Sequence, residues 1–397
     1  MKLVKCALSE REWLRRAGLS LCAVFLLFLL TLAGMSQAQT FSEKSEQIVV
    51  TDVLGRRVVL DKPASRVVLA RGRYFPVMGI VHPDPSAILV GWTDEYKKFY
   101  AQEYAAYKVK YPALEDLPLV GSNTAASLSV EKILSLNPDL VILSARLSGA
   151  SLRDGGADSG LLQMFEGAGV PVVVLDFFVD PINNTVPSVR ALGDALGHPE
   201  RAQAFIEYYE GHLNKIKERV ATVTERPNVL VHAHAGLSDC CNSPGTEVFN
   251  DMISFAGGHN IGADVLKTPV GKLSLEYILQ RNPELYIATG AGTNLNGLKV
   301  GSDVGQADAV RSLEQVIEYS RLQGIDAVRS GKAYGIWHLF NDSPMNLILI
   351  ESLAVWMHPE LFSDVDVQAT MDEMNEQFLL LPMRGTYWVE LGAGDAL

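Results

Sequence analysis

The chain has 397 residues, of which 48% are apolar and 20% are charged, and its formal net charge is −12 at pH 7. This composition excludes a disordered chain and supplies enough apolar material for more than one core, so we expect two domains. The acidic balance argues against nucleic acid and anionic membranes as partners.

The first forty residues follow a different pattern from the rest. Five basic residues precede a stretch from Ala17 to Met35 that contains no charge. The small residues Ser-Gln-Ala at 36–38 suit signal peptidase, so we predict a signal peptide over residues 1–38 and a mature chain from Gln39. An uncleaved anchor is the competing interpretation, because the apolar stretch is just long enough to span a bilayer. Cleavage removes five basic and two acidic residues, which moves the net charge to −15.

The mature chain begins with a predicted β-hairpin over residues 48–60, where apolar residues alternate around Leu54-Gly55. Short apolar runs then alternate with helical or connecting segments, which is typical of a parallel sheet flanked by helices. The predicted strands of the first half are 66–70, 87–90, 140–143 and 172–175, and those of the second half are 229–233, 285–289 and 333–337.

An internal repeat supports two similar lobes. Residues 128–142 (LSVEKILSLNPDLVI) and residues 273–287 (LSLEYILQRNPELYI) are identical at nine of fifteen positions. Each copy predicts a Ser-capped short helix, a stop at Asn-Pro and a buried strand. The alternative is that a short helix, a stop and a strand form a common local sequence pattern and are no true repeat. The second copy, however, lies one lobe-length downstream of the first, as two similar lobes require.

Apolar residues at helical spacing predict one long helix over residues 199–223, long enough to run from one lobe to the other. We therefore predict an N-terminal lobe over 39–185, a connecting helix within 186–224 and a C-terminal lobe over 225–397. A stiff connector predicts a small hinge motion rather than wide opening.

With these parts in place, the sequence resembles the class III periplasmic solute-binding proteins of iron-siderophore, haem and cobalamin ABC importers. The resemblance is carried by TDVLGRRVVLDKPASRVV at 51–68, VGSNTAASLSVEKILSLNPDLVI at 120–142 and FAGGHNIGAD at 255–264. It implies an α/β fold of two Rossmann-like lobes joined by a long backbone helix, with the ligand cleft between them. It also implies a monomer without catalysis or a resident cofactor, which delivers a metal complex, foremost a ferric siderophore, to an inner-membrane ABC permease.

In this family each lobe presents a glutamate that docks onto arginines of the permease, and the matching positions are Glu131 and Glu276. Two carboxylates at equivalent points of two lobes would also suit a two-fold symmetric partner. The alternative is that each glutamate only complements the dipole of its helix, which contributes less than about 1 kcal/mol.

Ligand contacts are expected where the parallel strands end. Arg71, Arg73 and Tyr74 follow the first of these strands, and Arg146 follows another. Arginine suits an anionic ligand because its planar fork donates paired hydrogen bonds, although solvated surface arginines are the alternative.

Aromatic and polar residues at other strand ends complete the predicted cleft, with core packing as the alternative for each aromatic. These candidates are Trp92, Phe178, His234, Trp337, His338 and Asn341. The tyrosine-rich insertion over residues 94–118 could shape the cleft mouth, but we expect its tyrosines to lie mainly on a solvated helix surface.

His232 and His234 alternate along a predicted strand and should point to one face, near Asp239 and the cysteine pair Cys240-Cys241. This spacing matches no closed zinc pattern, and thiols outside the cytoplasm are rarely reduced, so we predict no metal held by the protein itself. A bridge between the two cysteines is an open alternative, although neighbouring α-carbons are closer than in most disulfides.

Haem, cobalamin and a bare oxyanion such as molybdate are alternative ligands to a ferric siderophore. A periplasmic metalloenzyme that uses the histidines and Asp239 is a competing class, but no HExxH, GxSxG or phosphate-binding glycine loop occurs in the sequence.

Overall fold

The computed structural model describes residues 47–149, 159–237, 240–291 and 297–392. The predicted signal peptide over residues 1–38 lies outside these ranges. Among the described residues, no helix combines the length and the apolar character needed to cross a bilayer.

The described strands form two larger sheets and three small antiparallel pairs. The strands are β1 (Ile48–Thr51), β2 (Arg57–Leu60), β3 (Val67–Leu69), β4 (Leu89–Trp92), β5 (Leu140–Ser144), β6 (Val172–Leu175), β7 (Asn228–His232), β8 (Asn242–Pro244), β9 (His259–Asn260), β10 (Val270–Lys272), β11 (Leu285–Gly290), β12 (Gly301–Ser302), β13 (Ala333–Trp337), β14 (Gly385–Thr386) and β15 (Trp388–Leu391).

Helices pack against the two larger sheets. The α-helices are α1 (Phe75–Val81), α2 (Glu95–Phe99), α3 (Ala101–Lys110), α4 (Val130–Ser135), α5 (Ala145–Ser148), α6 (Gly160–Gly167), α7 (Pro181–Leu196), α8 (Pro199–Val220), α9 (Phe249–Phe255), α10 (Leu275–Arg281), α11 (Gln306–Tyr319), α12 (Asp326–Arg329), α13 (Asn346–Met357) and α14 (Val367–Gln377).

The sheet of the first lobe has the order β4-β3-β5-β6, and its neighbouring strands are parallel. Its strands are continuous apolar runs because both faces are covered. Val67 and Leu69 pack into the larger apolar core, whereas Val68 and Ala70 point the other way into a smaller core. This alternation places two helical layers around one sheet, as the sequence predicted.

The sheet of the second lobe has the order β15-β13-β11-β7-β9. Its strands are parallel except for β15, which pairs antiparallel with β13 at the edge. The larger apolar core extends through both lobes. The predicted class of two α/β lobes is confirmed, and the predicted hairpin is present as β1 and β2, which pair antiparallel from Ile48 opposite Leu60.

Both copies of the repeat fold as predicted. The hydroxyls of Ser129 and Ser274 accept a hydrogen bond from the backbone N–H of the third residue of α4 and of α10. After each helix the chain turns through an asparagine with positive φ, 48° at Asn137 and 43° at Asn282. Asparagine tolerates this left-handed conformation better than most residues, so the helix ends there and β5 or β11 follows.

The long helix predicted over residues 199–223 is α8, about 33 Å in length at 1.5 Å per residue. The predicted connecting segment 186–224 also contains the end of α7, which packs against β6 and β1 of the first lobe. Gly197 separates the two helices with a φ of 75°. The exact domain boundaries stay a prediction.

Helix α8 is held along its length by polar contacts. The Tyr209 hydroxyl donates to Asn346 Oδ1 over 2.8 Å, and His212 Nδ1 lies 2.6 Å from Glu351 Oε1 on α13. Near its C-terminus, Arg219 forms an ion pair with Asp364 at 2.5 Å. The connector is therefore fastened to the second lobe rather than free in solvent.

The tyrosines of the insertion over residues 94–118 are buried, so the expectation of a solvated helix surface was wrong. They pack around Phe75 and Trp92, with ring centroids 5.6 Å apart for Phe75 and Tyr107 and 5.9 Å apart for Trp92 and Tyr104. Aromatic burial of this size outweighs the polar character of the hydroxyl groups. The buried members are Tyr96, Tyr100, Tyr104, Tyr107 and Tyr111.

Candidate functional site

A cavity of about 620 Å³ lies between the two lobes. It is bordered by segments that follow the carboxyl ends of β3, β5 and β6 in the first lobe and of β7, β11 and β13 in the second. Parallel α/β sheets bind small molecules at such strand ends. Seven of the ten predicted ligand contacts line this cavity: Arg71, Arg73, Arg146, Phe178, His234, His338 and Asn341.

The two arginines after β3 form a buried ionic network across the lobes. Arg71 donates to Asp342 of the second lobe and, over 3.2 Å, to Glu95 Oε2 of the first lobe. Arg73 lies 3.1 Å from Asp342 Oδ2 and 3.6 Å from Glu95 Oε2. Burial alone would lower the pKa of Arg71, but Asp342 and Glu95 raise it above its ordinary value. The guanidinium of Arg71 therefore stays charged and paired.

Tyr74 belongs to the same network and does not line the cavity. Its hydroxyl donates to Asp342 Oδ1 over 3.3 Å, and its ring packs edge-on against Phe177. Burial, together with the charge of Asp342, raises the pKa of Tyr74 well above its usual value. The structure thus places Tyr74 as a support for Asp342.

A histidine pair forms the opposite wall. The ring centroids of His234 and His338 are 3.7 Å apart, and Thr289 Oγ1 lies 2.8 Å from His338 Nδ1. The same Thr289 oxygen accepts the backbone N–H of His234 over 3.0 Å, which fixes both histidines to the end of β11. Burial in the cavity wall lowers the pKa of His234 and holds that of His338 well below its usual value, with Arg73 acting in the same direction. Both rings are neutral at pH 7.

Arg146 lies across the cavity from the histidines, on the first lobe. Its guanidinium carbon sits 5.0 Å from the centre of the Phe178 ring, a cation–π arrangement. Burial lowers the pKa of Arg146, and repulsion from Arg71 lowers it further. Arg146 and Phe178 together offer a cation and a flat apolar face.

Two predicted aromatic contacts lie outside the cavity. Trp92 is fully buried because the insertion covers the end of β4, where the backbone N–H of Trp92 donates to the carbonyl oxygen of Pro118. The ring of Trp337 packs against Phe340 and Tyr387, each 5.2 Å away, and borders a separate cavity of about 60 Å³. We therefore remove Trp92 and Trp337, with Tyr74, from the set of candidate ligand contacts.

The cavity lining also includes residues that were not among the ten predicted ligand contacts. Tyr100 lines the cavity, and its ring lies 5.2 Å below the guanidinium of Arg73. Lys98 and Phe99 of α2 lie at the same rim. Their position in the insertion was the available signal, although a role of this segment at the cleft mouth was the less favoured of the two interpretations.

His232 and His234 do not share a wall, which corrects the expectation from strand alternation. Strand β7 ends at His232, and His234 has a φ of 50°, so the alternation is broken between them. His232 points into the core, with Nδ1 3.0 Å from the Tyr286 hydroxyl. One ring nitrogen of His232 and both cysteine sulfurs lie within 4.8 Å of one another, but Cys240 and Cys241 are bonded to each other.

The burial of His232 predicts a pH dependence of folding. Its pKa is lowered from 6.5 to about 4 by burial, so only the unfolded chain takes up a proton between these values. The free energy of unfolding should therefore fall as pH drops from 6.5 to 4, by about 3 kcal/mol from this group. Urea unfolding at pH 4 to 7 measures this slope. His232→Gln should flatten it, and equal slopes in the two proteins would contradict the assignment.

Glu131 and Glu276 lie in the first turns of α4 and α10, and both side chains are exposed. Among the described residues, neither carboxylate forms an ion pair. Their equivalent positions follow from the repeat, since each is the second residue of its helix.

Two α/β lobes with a cavity between their strand ends define the class of two-lobed binding proteins. Residues 80–337 match the family model described as "Periplasmic binding protein". The chain belongs to this family.

Among curated proteins, the chain is similar to a vitamin B12-binding protein of Yersinia pestis (strain Pestoides F), with 27% identity over 173 residues. The match covers 43% of this chain and 56% of that relative, so the chain spans about half the length of the curated relatives it matches.

Solved structures share the fold. A TroA-like periplasmic binding protein, FepB from Veillonella parvula, has a TM-score of 0.78 and 23% identity, over 87% of this chain and all of that chain. The molybdate-bound periplasmic protein MolA of Haemophilus influenzae has a TM-score of 0.64 and 16% identity, over 85% of this chain and 99% of that chain. Identities this low establish the architecture alone.

Proposed function

We propose that the protein is the periplasmic substrate-binding component of an ABC importer and that it captures a ferric siderophore or a related metal complex. The cavity of about 620 Å³ between the lobes carries this proposal. Its volume lies within the range of small-molecule sites, about 300 to 1,000 Å³, and is far larger than a bare tetrahedral oxyanion needs.

The lining suits a chelate more than an oxyanion. Phe178, Phe249 and Tyr100 supply aromatic faces, and the neutral His234 and His338 supply ring nitrogens. Cleft sites of this kind combine apolar walls with a few oriented polar groups. We therefore propose that the site binds its cargo without catalysis.

Delivery to an inner-membrane permease is the second part of the proposal. Glu131 and Glu276 project from matching helices of the two lobes, and both are free of ion pairs among the described residues. Exposed carboxylates at two equivalent points favour a partner with two equivalent basic patches. This is the surface that we propose for docking.

Titration of the mature protein, beginning at Gln39, tests the cargo class. Ferric siderophores, haemin, cobalamin and molybdate are added separately, and tryptophan fluorescence and calorimetry report binding. We expect a ferric siderophore to bind in a one-to-one ratio. Selective binding of haemin or cobalamin would replace the siderophore as cargo, and binding of none of the four would contradict the uptake function.

The cavity wall supplies a variant for the same titration. Phe178→Ala removes the aromatic face beneath Arg146 and should weaken cargo binding about tenfold, because aromatic anchors in pockets dominate binding energy. Met164→Ala is the control, since Met164 on α6 is exposed and does not line the cavity. Equal affinities of the two variants would place the cargo elsewhere.

A further inference from the structure

The charges at the floor of the cavity are balanced before any cargo arrives. Arg71 and Arg73 face Asp342 and Glu95, and these four side chains are at most 12% exposed. Two guanidinium groups and two carboxylates therefore form a buried group with no net charge. Arg71 and Arg73, which the sequence predicted as contacts for an anionic ligand, are already paired with carboxylates of the protein itself.

The remaining cations of the lining are nearly balanced as well. Lys98 Nζ lies 2.6 Å from Asp94 Oδ2, whereas no ion pair of Arg146 occurs within the described ranges. His234 and His338 are neutral, because their pKa values are lowered by burial. The described wall thus presents about one uncompensated positive charge.

We propose, on the basis of the uptake function above, that Asp342 selects for metal chelates of low net charge. A strongly anionic chelate, such as a ferric tricatecholate with three negative charges, would lie against Arg71 and Arg73, whose charges Asp342 and Glu95 already balance. No free arginine would then offset the charge of the chelate, and enclosing an uncompensated charge is costly. A ferric trihydroxamate, whose metal centre is neutral, avoids this cost.

Three unsatisfied polar atoms fit such a cargo. Arg71 Nε, Arg73 Nε and Asn341 Oδ1 are buried, belong to residues of the lining and have no hydrogen-bond partner among the described residues. A buried polar atom without a partner is costly, so a cargo that supplies acceptors to the guanidinium nitrogens and a donor to Asn341 is favoured. Neutral amide groups on the chelator provide both.

The position of Asp342 explains its influence on cargo. It follows β13 in the second lobe, yet its carboxylate contacts Arg71, Arg73 and Tyr74 of the first. Its charge therefore acts at the seam of the lobes, where cargo is enclosed. Glu95 pairs with the same arginines from within the first lobe.

Titration of the full mature protein with a ferric trihydroxamate and a ferric tricatecholate tests the proposal. The unaltered protein should bind the trihydroxamate at least about tenfold more tightly. Asp342→Asn frees one positive charge and should strengthen tricatecholate binding about tenfold, with trihydroxamate binding changed less than about threefold. Asp308→Asn, on the exposed start of α11, is the matched control and should change neither affinity.

Different results would refute the ferric-siderophore function and the charge selection. If neither chelate binds the unaltered protein, the ferric-siderophore function is refuted. If the unaltered protein binds the tricatecholate more tightly and Asp342→Asn does not alter that affinity, only the charge selection is refuted. Should Asp342→Asn not fold, as judged by circular dichroism, the preference of the unaltered protein between the two chelates decides the matter.

Discussion

Replacement of Glu131 and Glu276 by lysine should abolish uptake while cargo affinity stays unchanged. Both carboxylates are exposed on helices that are equivalent in the two lobes. Reversal of both charges places like charges against the basic patches that we propose for the permease, at a cost of several kcal/mol. Neither residue lines the cavity, so binding should not change.

Two measurements separate docking from binding. Transport is measured in proteoliposomes that contain the permease, and cargo affinity is measured by calorimetry with the free protein. Glu210→Lys with Glu218→Lys is the matched control, because both are exposed glutamates on α8. Unimpaired transport by the first double variant, or an equal loss in the control, would contradict the docking assignment.

Arg71→Ala should produce the largest loss of stability among single changes at the cavity. It removes a guanidinium that pairs with Glu95 and Asp342, and these carboxylates are 0% and 1% exposed. Removal of one partner leaves buried charges uncompensated, which typically costs about 3 to 5 kcal/mol. Urea unfolding at pH 7 measures the change.

The control for this variant is an arginine whose ion pair is exposed. Arg311 on α11 lies 2.5 Å from Asp308, and both side chains are more than 60% exposed. Solvent screens such a pair, so Arg311→Ala should have little measurable effect. Similar losses for Arg71→Ala and Arg311→Ala would show that the buried network is not stabilising.

The fold could be predicted because its signals are local. The Ser cap, the Asn-Pro stop and the buried strand lie within fifteen residues of each other, and each acts through its immediate neighbours. Ser129 and Ser274 therefore cap their helices, and Asn137 and Asn282 end them, as expected. Strand ends were found in the same way, and seven of the ten contacts predicted from them line the cavity.

The site was harder to predict because its decisive contacts are distant in sequence. Arg71 and Asp342 are 271 residues apart, so no local pattern indicates that the arginine is already paired. Trp92 was misassigned because a strand end is open only if no other segment covers it. Here the insertion covers it, and its tyrosines are buried with Trp92.

The contacts that hold α8 have a consequence for how the protein would interact with its permease. Tyr209, His212 and Arg219 tie this helix to the second lobe, and the larger apolar core continues into the first. The conformations of the protein with and without bound cargo should therefore differ little. In the proposed transport role, unloaded carriers would compete with loaded ones for the same permease, and a large excess of carrier over cargo would slow import.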